Sequence, residues 1–543
     1  MGELSHQASY AIIYVSYGAF LILGLAVAYF LSKSTQFLAA IRSQPPIPLA
    51  LNFIASAMGC GIFFTYGEIG ALLGIQGVIV YALSSSLPLL LFSLFGSLIR
   101  KHCPDGFVLE EWVFSRFGVV TGLYLGAWTV FTLFLYLVAE LSSLQQIITL
   151  MTGLDGLPPL IVEAGVTTIY TFFGGFHTSF FTDKVQGLMI LLLLIICSVA
   201  MGVTVDIDTS LIESSGLTKA SLAGWQLMYI LPVAIATNDA FLSGFWLRTF
   251  ASRNDKELLI GTGMATFVVF VFLTLIGFSG ILAVWSNLLP AGDSDQAYAS
   301  FFMLLLNLPS WVIGFVLVFV IALSTAVVDT FQSAMASSLS NDIFRNRLPL
   351  FYVRIIVIII MVPAVVVALK ALNILQIFLI SDLVSAAVVP TILLGLSRKF
   401  YFLRGFDVMV GGFGGILTVF IFGTIYYKSA DQGGRLLLVE QGLYTGDWGP
   451  FGAFVCAPVG SYIWCGVSVM ARVIFGLLRS RITGAPFTAL DHMPGPQAKP
   501  ALTEAPAGYK LKLAPFDDPA LSSETGSVES VSVNNKRWYQ EIL

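Results

Sequence analysis

The sequence predicts an all-α polytopic membrane protein with about thirteen transmembrane helices, most of them arranged as two inverted five-helix repeats. Three observations carry that prediction. Of 543 residues, 57% are hydrophobic and only 11% are charged, with a mean hydropathy of +0.88; a soluble chain carries roughly 25% charged residues. Apolar runs of about twenty residues, the length that spans a bilayer core, recur along most of the chain. The basic residues, finally, collect on alternate sides of those runs.

The apolar runs give spans A 10–31, B 48–65, C 74–98, D 119–150, E 158–174, F 184–205, G 224–247, H 258–286, I 309–339, J 351–369, K 373–395, L 406–426 and M 449–478. Span A is too long for a signal core and has no basic segment before it, so it reads as a retained helix. Spans B and G carry interruptions. B contains Gly59 and Gly61 within ASAMGCGIFF, and G contains Pro232 and then Asn238 and Asp239 within LPVAIATNDAFLSG. D and I are longer than a bilayer requires, and each is the third member of a set, B–F and G–K. An odd number of crossings reverses the direction of the second set, and paired broken helices in inverted halves point to a midplane substrate site. The organisation expected is an extra helix and linker (1–47), a first repeat (48–205), a second repeat with its preceding loop (206–395), two further helices (396–483) and a disordered tail (484–543). The tail is rich in Pro, Ala, Ser and Gly, and its serines Ser522, Ser523, Ser527, Ser530 and Ser532 suit a regulatory or trafficking role.

With the N-terminus outside, 18 of the 27 Lys and Arg residues fall at inner loops and helix ends. Four (Lys219, Lys370, Lys428 and Arg435) fall outside and five in the tail, which is then cytoplasmic. The expected location is the plasma membrane, with the lipid bilayer as the constant partner. A net charge of −4 and a pI near 5.6 argue against nucleic acid. The five cysteines, Cys60, Cys103, Cys197, Cys456 and Cys465, show neither disulfide nor zinc spacing. None of the histidines (His6, His102, His177 and His492) falls mid-membrane, which disfavours an enzyme with metal or acid–base chemistry and implies no cofactor.

Ionisable groups inside a membrane are costly and mark pathways or pairs. Glu140 on D, Asp239 on G, Asp329 on I and Asp382 on K sit deep, without basic partners in their own segments. Glu163 and Asp183 lie near helix ends, where water is expected to reach them. On span I, Ser324 and Thr325 are adjacent hydroxyls in an apolar helix. They suit either the oxygen shell of a hard cation such as sodium or ordinary back-bonding to their own helix.

At the E–F junction the sequence reads TTIYTFFGGFHTSFFTDKVQGLMIL. It resembles the sodium:solute symporter family, whose hallmark here is T-x-Y-T-x-x-G-G followed by T-D-x-x-Q, matched by Thr168, Tyr170, Thr171, Gly174, Gly175, Thr182, Asp183 and Gln186. Gly174 and Gly175 are expected to form a tight cytoplasmic turn, with Thr182 capping span F and His177 solvated in the turn. FWLRTFASRNDKELLIGTGMA after span G is similar to a second family signature. Asn341, Asp342, Ile343 and Phe344 resemble the ending of the family's eighth core helix. The matches run in order across about residues 48–395.

The resemblance implies a leucine-transporter-like core working by alternating access. Its sodium site, carried over position by position, joins carbonyls of Ala55 and Met58 on B to Ser324 and Thr325 on I. The hydroxyl pair stands about two residues farther from Asp342 than the family spacing, and a strict register would put Ala326 and Val327 at the site instead. The function expected is cation-coupled symport of a small polar organic solute, urea or another nitrogen compound such as a polyamine. Sodium is the coupling ion, with a proton through Asp329 as the alternative; a transporter-derived sensor without transport is the other alternative. Ser56 and Gly59 on B and Asn238 and Asp239 on G should line one cavity with Glu140 nearby, and Asp183 and Asp329 are further coupling candidates.

Overall fold

The computed structural model describes residues 4–31, 42, 44–103, 108–344, 348–370, 373–440, 442–444 and 446–491. The tail serines, His492 and the His177 side chain lie outside the described parts. Among the described residues the fold is all helical, with one isolated bridge between Gln44 and Ser252. In chain order the helices are α1 His6–Leu31, α2 Pro46–Ala57, α3 Gly61–Ser86, α4 Pro88–His102, α5 Leu109–Phe117, α6 Val119–Thr152, α7 Leu157–Thr204, α8 Thr209–Ser214 and α9 Leu222–Asn238. They continue with α10 Ser243–Ala251, α11 Asp255–Trp285, α12 Ser300–Leu305, α13 Ser310–Ser338, α14 Leu350–Ala368, α15 Ile374–Leu394, α16 Gly405–Tyr427, α17 Ala430–Leu437 and α18 Trp448–Thr483.

Local signals set many of the ends. Pro46 opens α2 and Pro88 opens α4, where a missing N–H costs nothing. The side chains of Ser221, Asn254 and Asn373 accept the orphan N–H groups of Gly224, Glu257 and Gln376 at the starts of α9, α11 and α15. Gly484 closes α18 in the left-handed conformation, φ 68°. Beyond it, residues 485–491 are not loose. Ala489 is buried, and Arg404 and Arg472 donate to the carbonyls of Thr488 and Ala489.

Among the described residues, ten helical stretches are long and apolar enough to cross a bilayer, or eleven with the bent pair α9–α10 taken as one span. The structure divides spans B, C, E and F differently from the sequence reading. B is cut into α2 and the start of α3. C joins onto B, with Gly74 (φ 60°) as a non-helical link inside α3. Only glycine fits there, because a Cβ would stand 1.9 Å from the Leu217 carbonyl oxygen. E and F run together as the single 48-residue helix α7, so the expected Gly174–Gly175 turn is absent from the backbone. Thr182 accordingly caps nothing; its hydroxyl bonds back to the carbonyls of Thr178 and Ser179 one turn earlier.

The third members of the two sets are α6 and α13, of 34 and 29 residues. In α13 every residue from Phe319 to Ser338 is buried, which makes it the central helix. Around it the broken helices α2–α3 and α9–α10 face each other.

A cavity between two broken helices

The first break is short. Helix α2 ends at Ala57, Met58 is extended (φ −113°, ψ 100°), and α3 restarts at Gly61. The freed N–H of Cys60 donates to Glu140 Oε1 on α6 at 2.7 Å. A Cβ on Gly59 would stand 2.3 Å from Glu140 Oε2, so glycine makes room for that carboxylate. The second break bends the chain by 68°. Helix α9 ends at Asn238, a 3₁₀ turn spans Asp239–Phe241, and α10 starts at Ser243. Pro232 lies inside α9 a full turn and more before the break, so the polar Asn-Asp pair, not the proline, marks its position.

The two breaks enclose a cavity of about 150 Å³. Its walls carry three carboxylates, Glu140, Asp239 and Asp382, and none of the residues lining it is Lys, Arg or His. Aromatic rings supply much of the rest. Tyr66 and Tyr81 stack at 4.1 Å, and Tyr66 donates to Ser85 at 2.5 Å. Tyr136 meets Phe378 edge-on at 4.8 Å and Phe331 at 5.9 Å, and its hydroxyl accepts from Asn238 Nδ2. Asn238 is held in turn by Ser381, whose hydroxyl donates to Asn238 Oδ1 at 2.9 Å. Asn238 thus orients the wall and does not itself line it. Asp382 keeps one buried carboxylate oxygen, Oδ1, without a partner.

The sequence reading put Ser56, Gly59, Asn238 and Asp239 at one cavity with Glu140 nearby; Ser56, Gly59, Asp239 and Glu140 line it, whereas Asn238 stands behind Tyr136. It missed Tyr66, Tyr81, Tyr136, Phe331 and Phe378. A signal was present: Tyr136 and Glu140, Val327 and Phe331, and Phe378 and Asp382 are each four residues apart on one helix, and both members of each pair reach the cavity.

Beside the first break, Ala55 and Met58 are fully buried, as are Ser324 and Thr325 on α13. Thr325 donates its hydroxyl to the Ile321 carbonyl at 2.6 Å, which leaves its oxygen lone pairs available. Ser324 Oγ is buried without a hydrogen-bond partner and faces the carboxyls of Glu140 and Glu163. Val327, from the strict-spacing register, lines the cavity between the two breaks instead.

A second buried cluster joins α2, α7, α10 and α13. Arg248 and Asp183 pair at 2.5 Å, both with no exposed side-chain surface. Arg248 also donates to the carbonyls of Asn52 and Gly244 and to the Thr330 hydroxyl. Asp329 nearby accepts from Tyr170 and Ser179 at 2.6 Å each and from Thr182 at 3.4 Å. Asp183 is therefore neither at a helix start nor within reach of water. Glu163 is likewise fully buried, 3.4 Å from the Tyr17 hydroxyl, because α1 packs over α7 and covers it.

Two broken helices around one cavity are the arrangement of a secondary transporter of the inverted-repeat kind, not of an enzyme. Residues 37–404 match the Sodium:solute symporter family, and the chain belongs to that family. It is 56% identical over 494 residues to Spermidine transporter DUR31 of Candida albicans, covering 90% of this chain and 95% of the relative. Among solved structures it resembles a Na+-coupled sialic acid symporter in a substrate-bound, outward-open state. The TM-score is 0.62 at 14% identity, over 84% of this chain and 98% of that one. It also resembles MHP1, a nucleobase-cation-symport-1 family transporter in a closed conformation, with a TM-score of 0.51 at 15% identity, over 80% of this chain and 96% of that one. At those identities the likeness is one of fold.

Proposed function

We propose that the protein is a plasma-membrane symporter that carries a polyamine such as spermidine into the cell, coupled to sodium, by alternating access, with its N-terminus outside and its tail cytoplasmic. The observation that carries this reading is the cavity lined by Glu140, Asp239 and Asp382 and by stacked tyrosines, with no basic side chain on its walls. A polyamine is a flexible methylene chain bearing ammonium groups. Carboxylates satisfy the ammonium groups, and aromatic faces take both methylenes and cations. The cavity is smaller than the roughly 300–1,000 Å³ of drug-binding pockets, which suits a slender chain. Urea, a small neutral molecule, gives the carboxylates no counter-charge, and the similarity to a spermidine transporter supports the polyamine over it.

For the coupling ion, carbonyls of Ala55 and Met58 with the hydroxyls of Ser324 and Thr325 make a set of hard oxygen ligands. The unpartnered Ser324 hydroxyl supports this assignment. Asp329, already accepting three hydroxyl bonds, is better suited to holding α7 against α13 than to carrying a proton. Proteoliposomes containing the full chain provide the test. Labelled spermidine should enter down a sodium gradient, stop when choline replaces sodium, and be unaffected by excess urea. Urea uptake without spermidine uptake would overturn the substrate assignment, and spermidine uptake indifferent to choline would overturn the ion.

A further inference from the structure

We infer that Glu140 is a resident anion: its carboxylate fills the place at the start of α3 where a substrate carboxylate would otherwise bind, so the cavity selects amines that carry no carboxylate. The inference rests on the polyamine reading and narrows it to a chemical class.

A helix start leaves backbone N–H groups unpaired and carries a partial positive charge. In transporters built on broken helices, such half-helix starts receive the anionic group of the substrate. Helix α3 starts in this way inside the protein, and Cys60, the residue before it, provides no side-chain cap. The position is filled from a different helix. Glu140 Oε1 accepts the Cys60 N–H at 2.7 Å, and the Gly61 N–H is directed at the same carboxylate.

The seat is tightly fitted. Glu140 is only 2% exposed, and its Oε2 lies 2.3 Å from where a Cβ of Gly59 would stand. A substrate carboxylate arriving there would find the donors taken and three acid groups around it. An ammonium group would find the reverse. The three carboxylates thus divide their work. Glu140 is committed to the backbone, whereas Asp239 and Asp382, the latter with an unpartnered buried oxygen, remain for the amines.

Putrescine and ornithine isolate the effect, since ornithine is the same diamine with a carboxylate added at one end. Each is offered as a competitor of labelled spermidine uptake into proteoliposomes holding the full chain. The unaltered protein should be inhibited by putrescine and should require at least about 100-fold more ornithine. Glu140→Ala opens the α3 start and should shrink that ratio at least tenfold. Glu140→Gln keeps an acceptor on Cys60 and should weaken amine binding while still rejecting ornithine. If Glu140→Ala does not reach the membrane, Glu140→Asp, with its shorter arm, should move the ratio part of the way.

Equal inhibition of the unaltered protein by both diamines would overturn the inference. So would an ornithine-to-putrescine ratio that stays fixed in Glu140→Ala and Glu140→Asp while spermidine still enters; the polyamine reading would then survive alone. An unaltered protein that carries carboxylated amino acids and no polyamine would overturn both.

Discussion

Two groups of buried carboxylates solve the cost of burial in opposite ways. In the group around Arg248, Asp183 is matched by Arg248 at 2.5 Å, and Asp329 is surrounded by the hydroxyls of Tyr170, Ser179 and Thr182. In the cavity Glu140 is held by the Cys60 N–H, but Asp239 and Asp382 have no cation among the lining residues. A compensated cluster stores its charges as structure, because both partners are present whether or not substrate is bound. An uncompensated one is short of positive charge until something arrives. That difference, more than the presence of acidic residues as such, separates the binding region from the scaffold.

The largest effect should come from breaking the compensated group. Arg248→Ala leaves Asp183 buried and alone, and breaking a buried pair costs about 3–5 kcal/mol. The variant should lose most of its folded, membrane-inserted population, read as fluorescence-detected size exclusion after mild detergent extraction. The double change Asp183→Asn with Arg248→Gln removes both charges and should recover part of the loss. Equal stability of Arg248→Ala and the unaltered protein would show that the pair is not structural.

The uncompensated group should respond in the opposite sense. Asp239→Asn or Asp382→Asn removes a charge that has no fixed partner, so folding should be unharmed or improved. A charged hydrogen bond to substrate is worth about 1.5–3 kcal/mol, so half-saturation for spermidine should rise roughly 10- to 100-fold in each. Unchanged spermidine affinity in both variants would place substrate recognition elsewhere.

The two groups also differ in how much of each could be read from sequence. The cavity was largely legible. Gly59 in an apolar run and the Asn238-Asp239 pair mark interruptions locally, and a carboxylate such as Glu140 in a membrane helix stands out by its cost. What sequence could not supply was partnership. Glu140 meets Cys60 across 80 positions, and Arg248 meets Asp183 across 65. Nothing local therefore distinguishes Arg248 from the other basic residues at helix ends. Helix α7 failed for a related reason. Two adjacent glycines weaken a helix by about 1 kcal/mol each relative to alanine, enough to suggest a turn. Contacts of the surrounding residues with α1, α2 and α13 override that local preference. Glu163, read as near water, is sealed by the same packing, with Tyr17 of α1 lying against it.

The smallest effect predicted belongs to the boundary between the two groups, where α13 carries Ser324 beside the cavity and Thr325 one position closer to Asp329. Ser324 Oγ faces the carboxyls of Glu140 and Glu163 without a close hydrogen bond to either, so Ser324→Ala should cost the fold no more than about 1 kcal/mol. Thr325→Ala loses only a bond back to Ile321, whose carbonyl is also part of the helix ladder. If these hydroxyls are sodium ligands, losing one should cost on the order of 1–2 kcal/mol, or roughly tenfold in the sodium concentration for half-maximal uptake. Spermidine affinity at saturating sodium should change much less, because neither hydroxyl lines the cavity. A shift in Ser324→Ala alone would confine the ion to the cavity side of α13, next to Glu140 and Glu163. Asp329→Asn serves as the control. If choline replacement and both alanine variants leave uptake unaltered while Asp329→Asn abolishes uptake driven by a pH gradient, protons passing through Asp329 drive transport, and the Arg248 group belongs with the coupling machinery and not with the scaffold.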